Sequence, residues 1–149
     1  MKRLLLDVNV VLDVLMARSP HRETAAALWA ALETGRGRGV LAAHAVTTIH
    51  YLVERNLGRR VARQAVEALL TVYEVAPVDD AVLRSALALD WRDLEDAVGA
   101  AAAVANSCDA LVTRDQEGFR GCPIPVIDPG TALAWLTVEP EDRPGATGT

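Results

Sequence analysis

Three aspartates, Asp7, Asp96 and Asp115, stand at positions where carboxylates could do chemistry. Asp7 ends the predicted strand 3–7, Asp96 opens an alanine-rich segment, and Asp115 comes two residues after the predicted strand 110–113. Clustered carboxylates repel one another, and Mg²⁺ or Mn²⁺, which prefer oxygen ligands, remove that repulsion. Such an ion can polarise a phosphoryl oxygen and activate a water. These acids therefore predict a metal site suited to phosphoryl chemistry.

Polar residues next to these acids could support such a site. Thr113 offers a hydroxyl that could orient a water or a neighbouring carboxylate, and the amide of Asn9 lies two residues after Asp7. Arg114 and Asp93 are the candidates for binding substrate. A structural interpretation is also open, because Asp93 is a good N-cap for a helix over 94–106 and an acid in its first turn favours the helix dipole.

Four further acids receive no functional role: Asp13, Asp79, Asp80 and Asp90 are expected to be solvated or to cap helices. The basic residues are nearly all arginine, and Lys2 is the only lysine. The formal net charge of −5 gives no global positive field that would attract nucleic acid or a membrane surface.

Apolar runs that alternate with helical periodicity predict an α/β fold with a parallel sheet covered on both faces. Ser19 and Pro20 are expected to begin one helix as N-cap and first helical residue. Pro125 predicts an edge strand. The predicted strands are 3–7, 40–43, 75–78, 110–113 and 124–127, and the predicted helices are 9–17, 20–33, 44–56, 59–73, 80–89, 94–106 and 130–135.

A chain of 149 residues is the size of one domain. We predict a nuclease-like domain over 1–136 and a flexible tail over 137–149, which is rich in Glu, Pro, Gly and Thr. No segment is long enough to span a membrane, and the protein is expected to be cytoplasmic. Cys108 and Cys122 do not form a metal-binding motif, and a disulfide would be unusual in that compartment.

Three segments in order, 5–10 (LLDVNV), 93–97 (DLEDA) and 111–115 (LVTRD), resemble the PIN-domain ribonucleases, especially the VapC-type toxins of bacterial toxin–antitoxin pairs. The resemblance implies a three-layer α/β/α sandwich with a central parallel sheet of about five strands. It also implies that Asp7, Asp96 and Asp115 bind Mg²⁺ or Mn²⁺, supported by Thr113 and Asn9, and that the protein cleaves single-stranded RNA. An antitoxin partner and a homodimer are further implications.

One position departs from that family. The resemblance leads us to expect a glutamate in the helix after the second strand, but His50 stands there. Glu54 lies one turn further on the same face and could partly substitute. His50 itself could bind a phosphate, transfer a proton or ligate a metal, or it could be a half-buried histidine with a structural hydrogen bond.

Three functions remain open at this point. The leading one is a metal-dependent endoribonuclease, the toxin of a toxin–antitoxin pair. The second is a degenerate PIN domain that binds RNA or a protein partner without cleavage. The third is a phosphatase of the haloacid-dehalogenase type, which would need a second aspartate at Asn9 and a basic residue, usually lysine, after a later strand.

Overall fold

The computed structural model describes residues 1–137, and their centre is a five-stranded sheet in the order β3-β2-β1-β4-β5. Every pair of neighbouring strands is parallel, with Leu5 of β1 opposite Val40 on one side and Leu111 on the other. β5 lies at an edge, as Pro125 predicts. The strands are β1 (Arg3–Leu6), β2 (Arg38–Ala42), β3 (Glu74–Ala76), β4 (Ala110–Val112) and β5 (Val126–Ile127).

Helices cover both faces of the sheet, which confirms the predicted three-layer α/β/α sandwich. They are α1 (Val8–Leu15), α2 (Arg22–Glu33), α3 (Ala43–Leu57), α4 (Arg59–Val72), α5 (Asp80–Leu89), α6 (Leu94–Ala105) and α7 (Pro129–Thr137). Leu4 and Leu6 face a core shared with α1, α2, α3, α4 and α7, whereas Leu5 faces a second core shared mainly with α5 and α6. The alternation of side chains along β1 therefore feeds both cores.

The start of α2 differs from the prediction. The helix begins at Arg22, and its N-cap is His21, whose backbone is already helical and whose side chain makes no capping bond. The N–H of Arg22 reaches back to the carbonyl of Arg18 at 2.9 Å, so residues 19–21 form a turn before the helix. The prediction that Ser19 caps this helix was therefore wrong, because the local turn takes the residues that the capping pattern assigned to it.

The remaining predictions on organisation concern the C-terminal tail, the cysteines and membrane-spanning segments. α7 extends to Thr137, and residues 138–149 of the predicted tail lie outside the described residues. Cys108 and Cys122 are free, and burial raises the pKa of the Cys108 thiol to about 11, so it stays protonated at neutral pH. Among residues 1–137, no helix has both the length and the apolar character that a bilayer crossing requires.

Candidate metal centre

Asp7 follows β1 directly, at the edge of the sheet where the strands end. Its N–H donates to the carbonyl of Val112 at 2.9 Å, which extends the pairing of β1 and β4 by one residue. Asp7 occupies the N-cap position of α1, but its side chain makes no capping bond to that helix. Instead, Oδ2 of Asp7 accepts a hydrogen bond from the hydroxyl of Thr113 at 2.9 Å.

Thr113 joins two of the predicted acids. The residue is fully buried, and its hydroxyl oxygen accepts a hydrogen bond from the N–H of Asp115 at 3.0 Å while donating to Asp7. Asp115 in turn caps a short 3₁₀ turn (Glu117–Phe119), because its Oδ1 accepts from the N–H of Gly118 at 3.1 Å. Capping and membership of the acid cluster are therefore compatible for Asp115.

Asp96 lies in the first turn of α6, where Asp93 acts as the N-cap and accepts a hydrogen bond from its N–H at 3.1 Å. Burial is the main cause that raises the pKa of Asp96 to about 7, and the charges of Asp7, Asp93, Glu95 and Asp115 raise it further. Burial also raises the pKa of Asp7, while the Thr113 hydrogen bond opposes that shift. Both carboxylates are thus placed where negative charge is costly.

Two residues that the sequence did not single out share a cavity with Asp7 and Asp96. They are Glu95 and His44, and the cavity lies between β1, α3 and α6. Nε2 of His44 is 3.0 Å from the carbonyl oxygen of Glu95 and can only donate there, so in the neutral ring Nδ1 is the nitrogen that can accept. This Nδ1 is buried and has no partner among residues 1–137.

A sequence signal existed for Glu95 but was weak. Glu95 stands directly before Asp96 in the acidic run 93–96, which was interpreted as one cap and one metal ligand. His44 carries no local signal, because its contact with Glu95 joins positions 51 residues apart in the chain.

Asp13 is the clearest correction to the expectations. It is fully buried rather than solvated or capping, and it accepts from Nε of Arg18 at 2.9 Å and from Nε of Arg114 at 2.6 Å. A second bond from Nη2 of Arg114 at 3.2 Å makes that pair bidentate. The Arg114 guanidinium is therefore held by Asp13, with only part of its donor set left for a substrate.

Asn9 is held by the same group of side chains. Nη2 of Arg18 donates to the Asn9 backbone carbonyl at 3.1 Å and to its Oδ1 at 3.2 Å. Asn9 follows Asp7 by two residues, but its amide oxygen accepts a hydrogen bond from Arg18 and does not support Asp7. The phosphatase alternative would need an acidic side chain at position 9, and this arrangement of Asn9 gives that alternative no support.

His50 and Glu54 face each other on α3. Nδ1 of His50 is 3.5 Å from Oε2 of Glu54, and the two side chains are 38% and 45% exposed. Neither residue lines the cavity that holds Asp7, His44 and Asp96. This placement agrees with the structural alternative for His50, in which it is a half-buried histidine with a local partner.

The donor set fits a hard divalent cation that keeps its waters. The carboxylates of Asp7, Asp96 and Asp115 offer only oxygen, and the charge of Asp115 raises the pKa of both Asp7 and Asp96. Within residues 1–137, no group of three or more His, Cys, Asp or Glu side chains is arranged to hold a metal ion on its own. Mg²⁺ commonly binds through one or two carboxylates and retains several waters, so an incomplete protein cage suits it.

Solved structures with the same fold include VapC, VapBC and Fit proteins. VapBC from Salmonella typhimurium bound to DNA has a TM-score of 0.70 at 17% identity, over 87% of this chain and 99% of that one. FitAcB from Neisseria gonorrhoeae has a TM-score of 0.64 at 22% identity, over 85% and 97%. VapC20 from Mycobacterium tuberculosis, a toxin that cleaves the sarcin–ricin loop, has a TM-score of 0.62 at 20% identity, over 72% and 86%.

At these identities the likeness establishes the fold alone. No curated protein matches the sequence significantly. A family model described as the PIN domain matches residues 3–117, a span that includes Asp7, Asp96, Thr113 and Asp115. Since the match covers more than half of the sequence and the fold agrees with it, the chain belongs to the PIN domain family.

Proposed function

We propose that this chain is a metal-dependent endoribonuclease that cleaves single-stranded RNA by hydrolysis of a phosphodiester, and that it is the toxin of a toxin–antitoxin pair. The observation that carries the proposal is the hydroxyl of Thr113, which connects Asp7 at the end of β1 to Asp115 after β4. Asp96 stands close enough to both acids for their charges to raise its pKa.

Asp7, Asp96 and Asp115 are the residues that would hold Mg²⁺ or Mn²⁺. The bound ion would polarise the phosphoryl oxygen, activate the attacking water and stabilise the leaving oxygen. Thr113 fixes the orientation of the Asp7 carboxylate, because it is fully buried and has no freedom to turn away. The free Nδ1 of His44 offers an acceptor for a water in the same cavity as Asp7 and Asp96.

Charge explains why the RNA substrate itself needs the ion. Five acids surround the site, and a phosphodiester would be repelled by them without a cation: Asp7, Asp93, Glu95, Asp96 and Asp115. The Arg114 guanidinium is already paired with the buried Asp13. The cation thus serves both the reaction and the approach of the substrate.

The proposed biological setting rests on the named neighbours. Among them, VapC20 is a toxin, and a further neighbour is a toxin–antitoxin complex from Klebsiella pneumoniae. By analogy, we propose an antitoxin protein as a partner, a homodimer as the assembly and the cytoplasm as the location.

The direct test is cleavage of an end-labelled single-stranded RNA in Mg²⁺ or Mn²⁺. We compare the wild type with Asp7→Asn and Asp96→Asn, and use Asp80→Asn as the control, since Asp80 is an exposed acid paired with Arg84 on α5. We expect the wild type to cleave the RNA and EDTA to stop this cleavage. Asp7→Asn and Asp96→Asn should lose the activity, and Asp80→Asn should retain it. RNA binding without cleavage would support the degenerate module instead.

A further inference from the structure

A groove of about 370 Å³ extends from the acid cluster along the first turn of α6 and the 3₁₀ turn. Asp93, Asp96 and Asp115 line part of it, and Asp7 does not. Ligand sites on proteins hold roughly 300–1,000 Å³, so this groove is at the small end of that range. Its size suits one nucleotide rather than a folded element.

An aromatic ring borders this groove. Trp91 lines it and is half-buried, and its ring contacts Phe119 edge to face with ring centroids 5.8 Å apart and planes at 87°. Phe119 belongs to the core, so Trp91 is held by a fixed neighbour. A ring that is already ordered costs little entropy when a base stacks on it.

Two guanidinium groups line the same groove. Arg92 is exposed and has no ion-pair partner among residues 1–137. Arg120 pairs with Glu117 at 2.6 Å, but both side chains are more than three-quarters exposed, and such surface pairs are weak. Both arginines are therefore available to a phosphate.

The charges of the lining balance only when a divalent cation is bound. Four acids (Asp93, Asp96, Asp115 and Glu117) and two arginines give a formal charge of −2, which one Mg²⁺ or Mn²⁺ cancels. With a cation at one end, a groove with an aromatic ring and two exposed guanidiniums would match an unpaired nucleotide: the cation for the reacting phosphate, the ring for a base and the arginines for the next phosphate.

We propose that this groove binds one unstacked nucleotide of single-stranded RNA adjacent to the scissile phosphate, with its base on Trp91 and its neighbouring phosphate on Arg92 and Arg120. The inference rests on the proposed nuclease function, because it takes the reacting phosphate to lie at Asp96 and Asp115. Trp91 would then favour substrates whose bases are free to leave the stack, which explains a single-strand requirement.

The first experiment uses tryptophan fluorescence. The chain has three tryptophans, Trp29, Trp91 and Trp135, and only Trp91 lines the groove. A short single-stranded RNA with a non-hydrolysable backbone is titrated in Mg²⁺ into the wild-type protein, so that the acids that would hold the cation and the groove residues are all retained. We expect quenching that Trp91→Phe abolishes and that Trp29→Phe and Trp135→Phe retain. Equal quenching in the Trp91→Phe protein would overturn the proposal.

The second experiment measures the affinity of single-stranded RNA for groove variants under the same conditions. Trp91→Ala should weaken RNA binding by about fivefold or more, whereas Trp91→Phe, which keeps a ring, should retain most of it. Circular dichroism excludes unfolding as the cause. Arg92→Ala should lower the slope of log affinity against log salt by about 0.7, the value for one phosphate contact on a single strand. The matched control is Arg84→Ala, an exposed arginine paired with Asp80 outside the groove.

The outcomes separate this inference from the proposed function. If the wild type does not cleave RNA, but Trp91 fluorescence reports RNA binding and Arg92→Ala changes the salt dependence of affinity, the proposed nuclease function is wrong and the proposed nucleotide site is retained. If the wild type cleaves RNA while Trp91→Ala and Arg92→Ala leave affinity, salt slope and KM at wild-type values, the groove is wrong and the nuclease stands.

Discussion

The hydroxyl of Thr113 donates a hydrogen bond to Oδ2 of Asp7 at 2.9 Å, across 106 positions of sequence. The same oxygen accepts from the N–H of Asp115, so one buried side chain fixes two acids that come from the ends of adjacent strands. Parallel pairing of β1 with β4 makes this possible, since it places both strand ends at one edge of the sheet.

Removing that hydroxyl should weaken both the fold and the site. Thr113→Val keeps the volume but leaves the Asp7 carboxylate and the Asp115 N–H without this partner, which we expect to cost about 1–3 kcal/mol in the free energy of unfolding. Thr113→Ser retains the hydroxyl and serves as the control. Urea unfolding measures stability, and Mn²⁺ titration calorimetry should show weaker binding for the valine variant alone. Equal stability and Mn²⁺ affinity in the two variants would contradict the role.

Breaking the buried ion pairs of Asp13 should be more costly. Asp13→Asn keeps the shape but removes the charge that Arg18 and Arg114 share, and we expect a loss of about 3 kcal/mol. The loss stays at the lower end for buried pairs because the two arginine side chains are 34% and 30% exposed and can turn toward water. Denaturant unfolding checks this, with the exposed Asp80→Asn as the control. A change below about 0.5 kcal/mol would argue that Asp13 is not structural.

Asp96 should make the metal-free protein less stable as pH rises. Its pKa is about 7 in the folded protein against the ordinary 3.8, so the folded state holds the proton more tightly than the unfolded chain does. The stability that this proton gives is complete below about pH 4 and is lost as pH rises through about 7. We expect urea midpoints in EDTA to be higher at pH 5 than at pH 8.

Asp96→Asn is the matching variant for that effect. The amide cannot ionise, so the difference between the two midpoints should narrow and the variant should be more stable than wild type at pH 8 in EDTA. Mg²⁺ should restore wild-type stability at pH 8, because the ion favours the ionised carboxylate. A midpoint difference as large in Asp96→Asn as in wild type would rule out Asp96 as its source.

His50 should matter less than its position in the sequence suggests. It contacts Glu54 on a partly exposed face and does not line the Asp7 cavity. We expect His50→Ala to change the free energy of unfolding by less than about 0.5 kcal/mol and to keep RNA cleavage within about threefold of wild type. His44→Ala, which removes a side chain that lines that cavity, should lower the cleavage rate more than His50→Ala does. A larger loss of cleavage in His50→Ala than in His44→Ala would indicate that His50 belongs to the site.

Much of the fold was predictable because its signals are local. The apolar runs, the edge proline and the acids at strand ends were enough to expect a parallel sheet with Asp7 and Asp115 at one edge. The cap at Asp93 was visible for the same reason. The helix boundary at Arg22 was not, since a Ser-Pro pair is compatible with both a helix start and a turn.

The features that sequence missed depend on distant partners. Asp13 lies among apolar residues of α1, and its burial is tolerable because Arg18 and Arg114 both pair with it, the latter from 101 positions away. The contact of His44 with Glu95 likewise exists only once α3 and α6 lie side by side. Burial of charge and occupancy of a cavity are tertiary properties, and a single sequence does not carry them.

The central claim is that the acids at the ends of β1 and β4 hold a divalent cation, and anomalous diffraction from a Mn²⁺-soaked crystal tests it most directly. The account predicts an anomalous peak coordinated by a carboxylate oxygen of Asp7, together with Asp96 or Asp115, and completed by waters. A peak elsewhere in the molecule, or none at these carboxylates at saturating Mn²⁺, would contradict it.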